Sequence, residues 1–171
     1  MVTPSLFVFG CGHVGSAIVR AASALGFEIT AIDELESNAN SETLSQANTI
    51  LNSYDVSDFK TLQFTSETIV LIATREHHLD QKILEFCLKQ PFLFLGVIGS
   101  QRKAAMQRER LKAKGYDENV IRLNKMLDDC VHSAKNRNSG SAERNGLVMM
   151  VCGMRHGAAL ASGDREVKRT M

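Results

Sequence analysis

A glycine-rich segment near the start of the chain constrains the fold more than any other feature. It is Gly10-Cys11-Gly12-His13-Val14-Gly15, and it follows the short apolar run Ser5–Phe9. Apolar residues at helical spacing follow up to Leu25, and a second apolar run, Glu28–Asp33, ends in an acid. The order of strand, glycine turn, helix, strand and acid is typical of a dinucleotide-binding fold.

Each glycine of this segment has a physical role in that fold. Gly10 permits the tight turn, Gly12 allows the backbone to approach a pyrophosphate, and Gly15 lets the helix pack on the strand. Asp33 would accept hydrogen bonds from an adenosine ribose and repel a 2′-phosphate, which favours NAD over NADP. The alternative is a glycine turn of the same fold that binds no ligand.

Alternating strands and helices continue after Asp33 and predict a parallel sheet with right-handed crossovers. The fold class is therefore α/β, a Rossmann-type doubly wound and mostly parallel sheet. A short helix is expected around Glu42 to Ala47. Further strands are expected at 48–51, 68–73 and 92–98, and further helices from Leu79 to Cys87 and from Gln101 to Lys114, the last capped by Ser100 and ended by Gly115.

Two residues inside the glycine segment have open interpretations. His13, at the start of the helix, is either solvent-facing or a hydrogen-bond donor to a bound anion. Cys11 is either structural filler or a thiol whose pKa is lowered by the helix N-terminus, and filler is the simpler interpretation.

A second polar cluster follows the strand at 68–73. It is Thr74-Arg75-Glu76-His77-His78-Leu79-Asp80, at a position where open α/β sheets bind ligands. His77 and Asp80 lie one helical turn apart, so Asp80 could fix the tautomer of His77, and both are candidates for acid–base work. The alternative is that these residues only cap the helix. His78 is expected at the surface.

Composition excludes several classes of function. The chain has 171 residues, 44% of them hydrophobic, and a net charge of +1, so nucleic acid and membrane are not expected as partners. The four cysteines form no CxxC pair or zinc-finger spacing, and no metal site is expected. Free thiols and the absence of a signal-like run indicate a reducing, cytoplasmic location.

Three motifs together resemble a known family. They are the glycine segment at 10–15, the segment Ala73-Thr74-Arg75 with His77 and Asp80, and Phe94-Leu95-Gly96-Val97-Ile98-Gly99-Ser100-Gln101-Arg102-Lys103. In order and spacing they are similar to the C-terminal Rossmann domain of the XdhC/CoxI-like xanthine dehydrogenase accessory family. The resemblance covers about residues 5 to 123.

The resemblance implies a role in maturation rather than catalysis. Family members bind molybdenum cofactor and help to insert its sulfurated form into molybdenum hydroxylases, which suggests such an enzyme, and a cysteine desulfurase, as partners. Carried over to this chain, the resemblance implies crevice residues at His77, Asp80, Gly99 and Ser100. The Arg102-Lys103 pair either meets phosphate or belongs to a solvated helix face.

The C-terminal part of the chain departs from the family pattern. Residues 1–123 are expected to form the Rossmann domain, and 124–171 an atypical segment, partly disordered or with a partial sixth strand at Leu147–Cys152. The closing segment of the family is missing after Leu123. A sheet left partly uncovered in this way predicts a homo-oligomer.

Two other functions compete with the accessory role. An NAD-dependent oxidoreductase would use the same glycine segment, although no substrate domain is recognisable. An NAD-sensing regulatory module would share the glycines and Asp33 but not the other two motifs. We expect His13, His77, Asp80 and Ser100 to line a single pocket that holds a ligand rather than turning it over, because no nucleophile has an adjacent base.

Overall fold

The computed structural model describes residues 4–118 and residue 121. In that part of the chain five parallel strands form one sheet in the order β3-β2-β1-β4-β5. This confirms the Rossmann-type α/β fold. The strands are β1 Ser5–Phe9, β2 Glu28–Ile32, β3 Thr49–Leu51, β4 Ile69–Ile72 and β5 Phe94–Val97. The helices are α1 His13–Ser23, α2 His77–Cys87 and α3 Gln101–Ala113, with a 3-10 turn at Asp58–Thr61.

The central strands β1 and β4 are buried on both faces, as expected for parallel strands made almost entirely of apolar residues. Alternate residues of β1 enter two separate cores, with Leu6 and Val8 on one side and Phe7 and Phe9 on the other. The first core also holds the buried face of α1, and the second holds residues of α2 and α3. The helices therefore lie in two layers around the sheet.

The predicted boundaries of α1, α2 and α3 agree with the structure to within two residues. Gly26 and Gly115, expected to end helical patterns, both have positive φ, of 78° and 79°. Ser100 is the N-cap of α3, and its Oγ accepts a hydrogen bond from the backbone N–H of Lys103 at 3.3 Å.

The helix expected around residues 42–47 is replaced by turns. Asn40 explains the difference, because its Oδ1 accepts hydrogen bonds from the backbone N–H groups of Glu42 and Thr43, both at 2.9 Å. Asparagine side chains that bond to the following backbone in this way favour turns over helix. Leu44 is nevertheless fully buried in the first core.

Some sequence predictions fall outside the described residues, including the sixth strand at 147–152 and the character of the segment 124–171. The boundary at residue 123 stays a prediction. In the part of the chain that the structure describes, no helix is both long and apolar enough to cross a membrane.

Candidate functional site

The strand order creates a crevice at the carboxyl ends of β1 and β4. From β1 the chain adds β2 and β3 on one side, and β4 and β5 extend the sheet on the other. This reversal is where doubly wound folds bind their ligands. Two loops border the crevice there, the glycine loop (residues 10–15) and the β4 loop (residues 73–76).

Gly10 is where these two loops meet. It has φ +94°, and a Cβ on it would lie 2.5 Å from the carbonyl oxygen of Ala73 and 2.7 Å from the backbone nitrogen of Thr74. No side chain could be inserted between two backbone segments at these distances. Gly10 is thus required both by its backbone conformation and by the close approach of the β4 loop.

The N-terminus of α1 faces the crevice without an internal cap. Gly12 is the N-cap residue, it makes no side-chain capping bond, and the first turn carries no acid. The first N–H groups of a helix have no intrahelical partners, and they carry partial positive charge. They are consequently available to an anionic group.

A groove of about 330 Å³ lies beside this helix end. This volume is at the lower end of the range for small-molecule sites. Two arginines, a histidine and several hydroxyl groups line the groove, and no acid is among its described lining residues: Cys11, Gly12, His13, Ser16, Arg20, Ser37, Asn38, Thr43 and Arg75.

Arg75 brings a fixed positive charge to the glycine loop from the opposite side of the crevice. Its Nε and Nη2 atoms lie 4.0 Å from the position that a Cβ on Gly12 would take. A guanidinium group remains charged at any physiological pH and can bind phosphate through two parallel hydrogen bonds. Arg75 and the α1 N-terminus therefore present donors to the same small volume.

Asp33 ties the end of β2 to the glycine loop. Its Oδ2 accepts hydrogen bonds from the backbone N–H of Cys11 at 2.7 Å and from Nδ2 of Asn38 at 3.3 Å, and its Oδ1 accepts from the N–H of Leu35 at 2.9 Å. The residue is only 5% exposed, yet it lines a second, smaller cavity of about 80 Å³ together with Gly10, Tyr54 and Thr74. The Tyr54 hydroxyl, which lines the same cavity, also hydrogen-bonds this carboxylate, so its acceptor positions are largely used within the protein.

Burial keeps two neighbouring groups protonated. Desolvation, reinforced by the charge of Asp33, raises the pKa of Cys11 to about 12. The same two causes raise the pKa of Tyr54 well above that of a free phenol. Cys11 is 2% exposed, and its Sγ points to the carbonyl oxygens of Val8 and Ile32. Cys11 is thus a structural residue, and the helix N-terminus does not make its thiol reactive.

The second polar cluster is organised differently from the sequence prediction. Asp80 is fully buried in the first turn of α2, and its carboxylate binds Thr74 through Oδ1 and the ammonium group of Lys103 through Oδ2. Both carboxylate oxygens are thus engaged by partners other than His77. Lys103, expected either at phosphate or on a solvated face, is buried as well.

The structure brings together only some of the predicted site residues. His13, Gly12 and Cys11 line the groove, and Asp33, Gly10 and Thr74 line the smaller cavity. Gly15 packs too closely against the Gly10 carbonyl to carry a side chain. His77 and His78 lie exposed at the start of α2, where Nε2 of His78 is 3.3 Å from Glu76. The described lining of neither cavity includes His77, Asp80, Gly99 or Ser100.

Sequence reasoning did not assign a site role to Arg20, Arg75 or Tyr54. Arg20 could have been found, since it follows His13 by seven residues and so lies on the same face of α1 two turns later. Arg75 could also have been found, since it directly follows Thr74, a predicted site residue. Tyr54 lies in a crossover without periodicity, and nothing in the local sequence marks it.

Comparison with known proteins identifies the family. Residues 6–126 match the family model of the XdhC Rossmann domain. The chain belongs to the XdhC family. The match covers the sheet except for Ser5, the three helices and both crevice loops, so the glycine segment, the cluster after β4 and the segment 94–103 all lie within it.

Two curated proteins and one solved structure are similar to this XdhC-family chain. The uncharacterized protein YqeB of Escherichia coli K12 is 32% identical over 70% of this chain and 22% of its own length. A probable xanthine dehydrogenase subunit from Bacillus subtilis is 23% identical over 58% of this chain and 30% of its own length. The chain thus spans less than a third of either relative.

The solved structure is that of a xanthine dehydrogenase from Bacillus halodurans. It superimposes with a TM-score of 0.65 over 94% of this chain and 46% of the other, at 19% identity. At this identity the similarity supports the Rossmann-type fold alone.

The buried state of Cys11 predicts low thiol reactivity. Because its pKa is raised from 9.0 to about 12, the thiolate fraction at pH 8 is small, and burial also blocks access of a reagent. Alkylation by iodoacetamide at pH 8, followed by peptide mass spectrometry, should label Cys11 about a hundredfold more slowly in the folded protein than in urea. Equal labelling rates in the two conditions would contradict the structural role.

Proposed function

We propose that this domain holds a phosphate-bearing cofactor, NAD or molybdenum cofactor, in the crevice, as part of an accessory factor for a molybdenum hydroxylase of the xanthine dehydrogenase type. The observation that carries the proposal is the uncapped N-terminus of α1 with the Arg75 guanidinium over it. Family membership supports the accessory role.

The charges of the groove favour phosphate over other groups. Arg20 and Arg75 are permanently cationic, and the helix dipole adds partial positive charge at Gly12. His13, Ser16 and Thr43 can add hydrogen bonds along the same groove. A pyrophosphate, or the phosphate of a pterin cofactor, would meet donors on two sides.

Asp33 supplies the acceptor that a nucleotide ligand needs. Its carboxylate accepts hydrogen bonds from the backbone of Cys11 and Leu35 and from the side chains of Asn38 and Tyr54. It lines the smaller cavity, so a ribose hydroxyl would bind there by replacing one of the two side-chain donors. A 2′-phosphate at the same place would face the buried negative charge. On this proposal NAD binds in preference to NADP.

The site is proposed to hold its ligand rather than to turn it over. Cys11 is protonated and buried, Asp80 is paired with Lys103, and His77 lies outside the lining of both cavities. These candidates for nucleophile or base are therefore not positioned for chemistry in the groove. A xanthine dehydrogenase-type enzyme is the proposed partner, and a cysteine desulfurase and a second copy of the chain are further candidates.

A bulky residue at position 12 should weaken ligand binding without preventing folding. Gly12 has φ −62°, and a Cβ there would lie no closer than 4.0 Å to its nearest neighbours, so Gly12→Val should fold normally. The valine side chain would stand where the phosphate approaches the backbone. Isothermal titration with ADP, NAD and inorganic pyrophosphate should show an affinity at least about tenfold lower than that of the wild type, a loss of about 1.4 kcal/mol.

A matched control is Arg102→Ala, which removes an exposed arginine of α3 outside the groove and should leave affinity unchanged. Unaltered affinity in Gly12→Val would place the ligand elsewhere. If the wild type binds none of the three probes and no molybdenum cofactor, the proposed function is wrong.

The Asp33 carboxylate predicts discrimination between two related cofactors. Wild-type protein should bind NAD at least about tenfold more tightly than NADP, because the 2′-phosphate would lie against a buried negative charge. Competition titrations of both cofactors, repeated with Asp33→Asn, measure this directly. Equal affinities of the wild type for NAD and NADP would contradict the role proposed for Asp33.

A further inference from the structure

A buried ion pair links the first turns of α2 and α3. Asp80 is 0% exposed and Lys103 is 9% exposed, and the ammonium group of Lys103 contacts Oδ2 of Asp80. The two residues come from helices that follow the adjacent strands β4 and β5. Buried ion pairs of this kind contribute little net stability, because desolvation offsets most of their attraction. The Asp80–Lys103 pair is therefore better explained by the positions it gives to neighbouring residues than by its contribution to stability.

Residues 98–100, which follow β5, leave space for the Lys103 side chain and hold its backbone. A Cβ on Gly99 would lie 2.6 Å from Cδ of Lys103, so the absence of a side chain at Gly99 makes room for the lysine stem. Nζ of Lys103 also lies 3.4 Å from the carbonyl oxygen of Ile98, and Ser100 caps the backbone N–H of Lys103. Gly99 and Ser100 thus help to place Lys103 where it can contact Asp80.

The other oxygen of Asp80 holds the β4 loop. Oδ1 accepts hydrogen bonds from the Thr74 hydroxyl at 2.5 Å and from the Thr74 backbone N–H at 3.2 Å. Thr74 is part of the segment that packs against Gly10, with its backbone nitrogen 2.7 Å from the position of a Gly10 Cβ. Arg75, the next residue, reaches over Gly12. A continuous set of contacts therefore runs from Lys103 through Asp80 and Thr74 to the glycine loop.

We propose that Asp80 and Lys103 are positioning residues of the phosphate site, which act by fixing Thr74 and thereby the guanidinium of Arg75 over the glycine loop. This inference rests on the proposed function and extends it to residues outside the groove. Arg75 is exposed, so ordering its long side chain on ligand binding costs conformational entropy. This cost is smaller when the backbone that carries the side chain is already fixed, and affinity is then higher.

The test is a double-mutant cycle that uses affinity for ADP and inorganic pyrophosphate as the readout. In Asp80→Leu/Lys103→Met both charges are removed together, so neither is left buried and unpaired. The backbone N–H of Thr74 loses its Asp80 acceptor, and the Thr74 hydroxyl keeps only its hydrogen bond to the carbonyl oxygen of Glu76. We expect this variant and Arg75→Ala each to bind about tenfold more weakly than the wild type. Because both act through Arg75, their combination should be weaker than Arg75→Ala by less than about twofold.

Two further variants separate positioning from a general loss of structure. Asp80→Asn/Lys103→Met keeps an amide oxygen for Thr74 and should retain affinity within about twofold. Lys114→Ala breaks the ion pair with Glu85 at the far end of α3 and should have no effect. If Asp80→Leu/Lys103→Met does not fold, Thr74→Val replaces it in the test, because this substitution removes the hydroxyl donor to Asp80. Introduced into the wild-type protein, Thr74→Val should lower affinity severalfold. Introduced into the Arg75→Ala variant, it should cause no further loss.

Several results would overturn the inference. Wild-type affinity in the Asp80→Leu/Lys103→Met variant, or a roughly hundredfold loss on combination with Arg75→Ala, would show that the pair does not act through Arg75. No binding of either probe by the wild type would instead refute the proposed function, and this inference with it.

Discussion

The close contact between the glycine loop and the β4 loop is the constraint on which the crevice depends. Gly10 leaves no room for a side chain between the end of β1 and the Ala73–Thr74 peptide. This contact is set by the strand order, which places β4 directly beside β1. Once the two loops meet there, the N-terminus of α1 and the residue after Thr74 necessarily share one opening.

Each crevice loop is held by a buried carboxylate that accepts a hydrogen bond from a backbone N–H. Asp33 holds the glycine loop through Cys11, and Asp80 holds the β4 loop through Thr74. A buried carboxylate without partners would be costly, but each of these has several donors. Asp33, Glu34 and Glu76 line the smaller cavity, while Arg20 and Arg75 line the groove, which has no acid among its described lining residues. This separation of charge suits an anionic ligand.

The sequence predicted the strands and the glycine loop because their patterns are local. Short apolar runs and glycines at fixed spacing identify β1, β4 and the first turn without knowledge of the rest of the fold. The pairing of Asp80 with Lys103 could not be predicted in this way, because it joins residues 23 positions apart through packing of two helices. Spacing alone suggested His77 as the partner of Asp80. The turns at 42–47 were missed because the Asn40 side chain, rather than helical periodicity, determines that segment.

A crystal structure of the protein with ADP bound tests the central claim most directly. The account predicts that the β-phosphate accepts hydrogen bonds from backbone N–H groups in the first turn of α1, that the Arg75 guanidinium contacts the same phosphate, and that a ribose hydroxyl donates to Asp33. A nucleotide bound instead in the groove beside α2 that Lys82, Lys89 and Lys114 line, with the glycine loop empty, would contradict it.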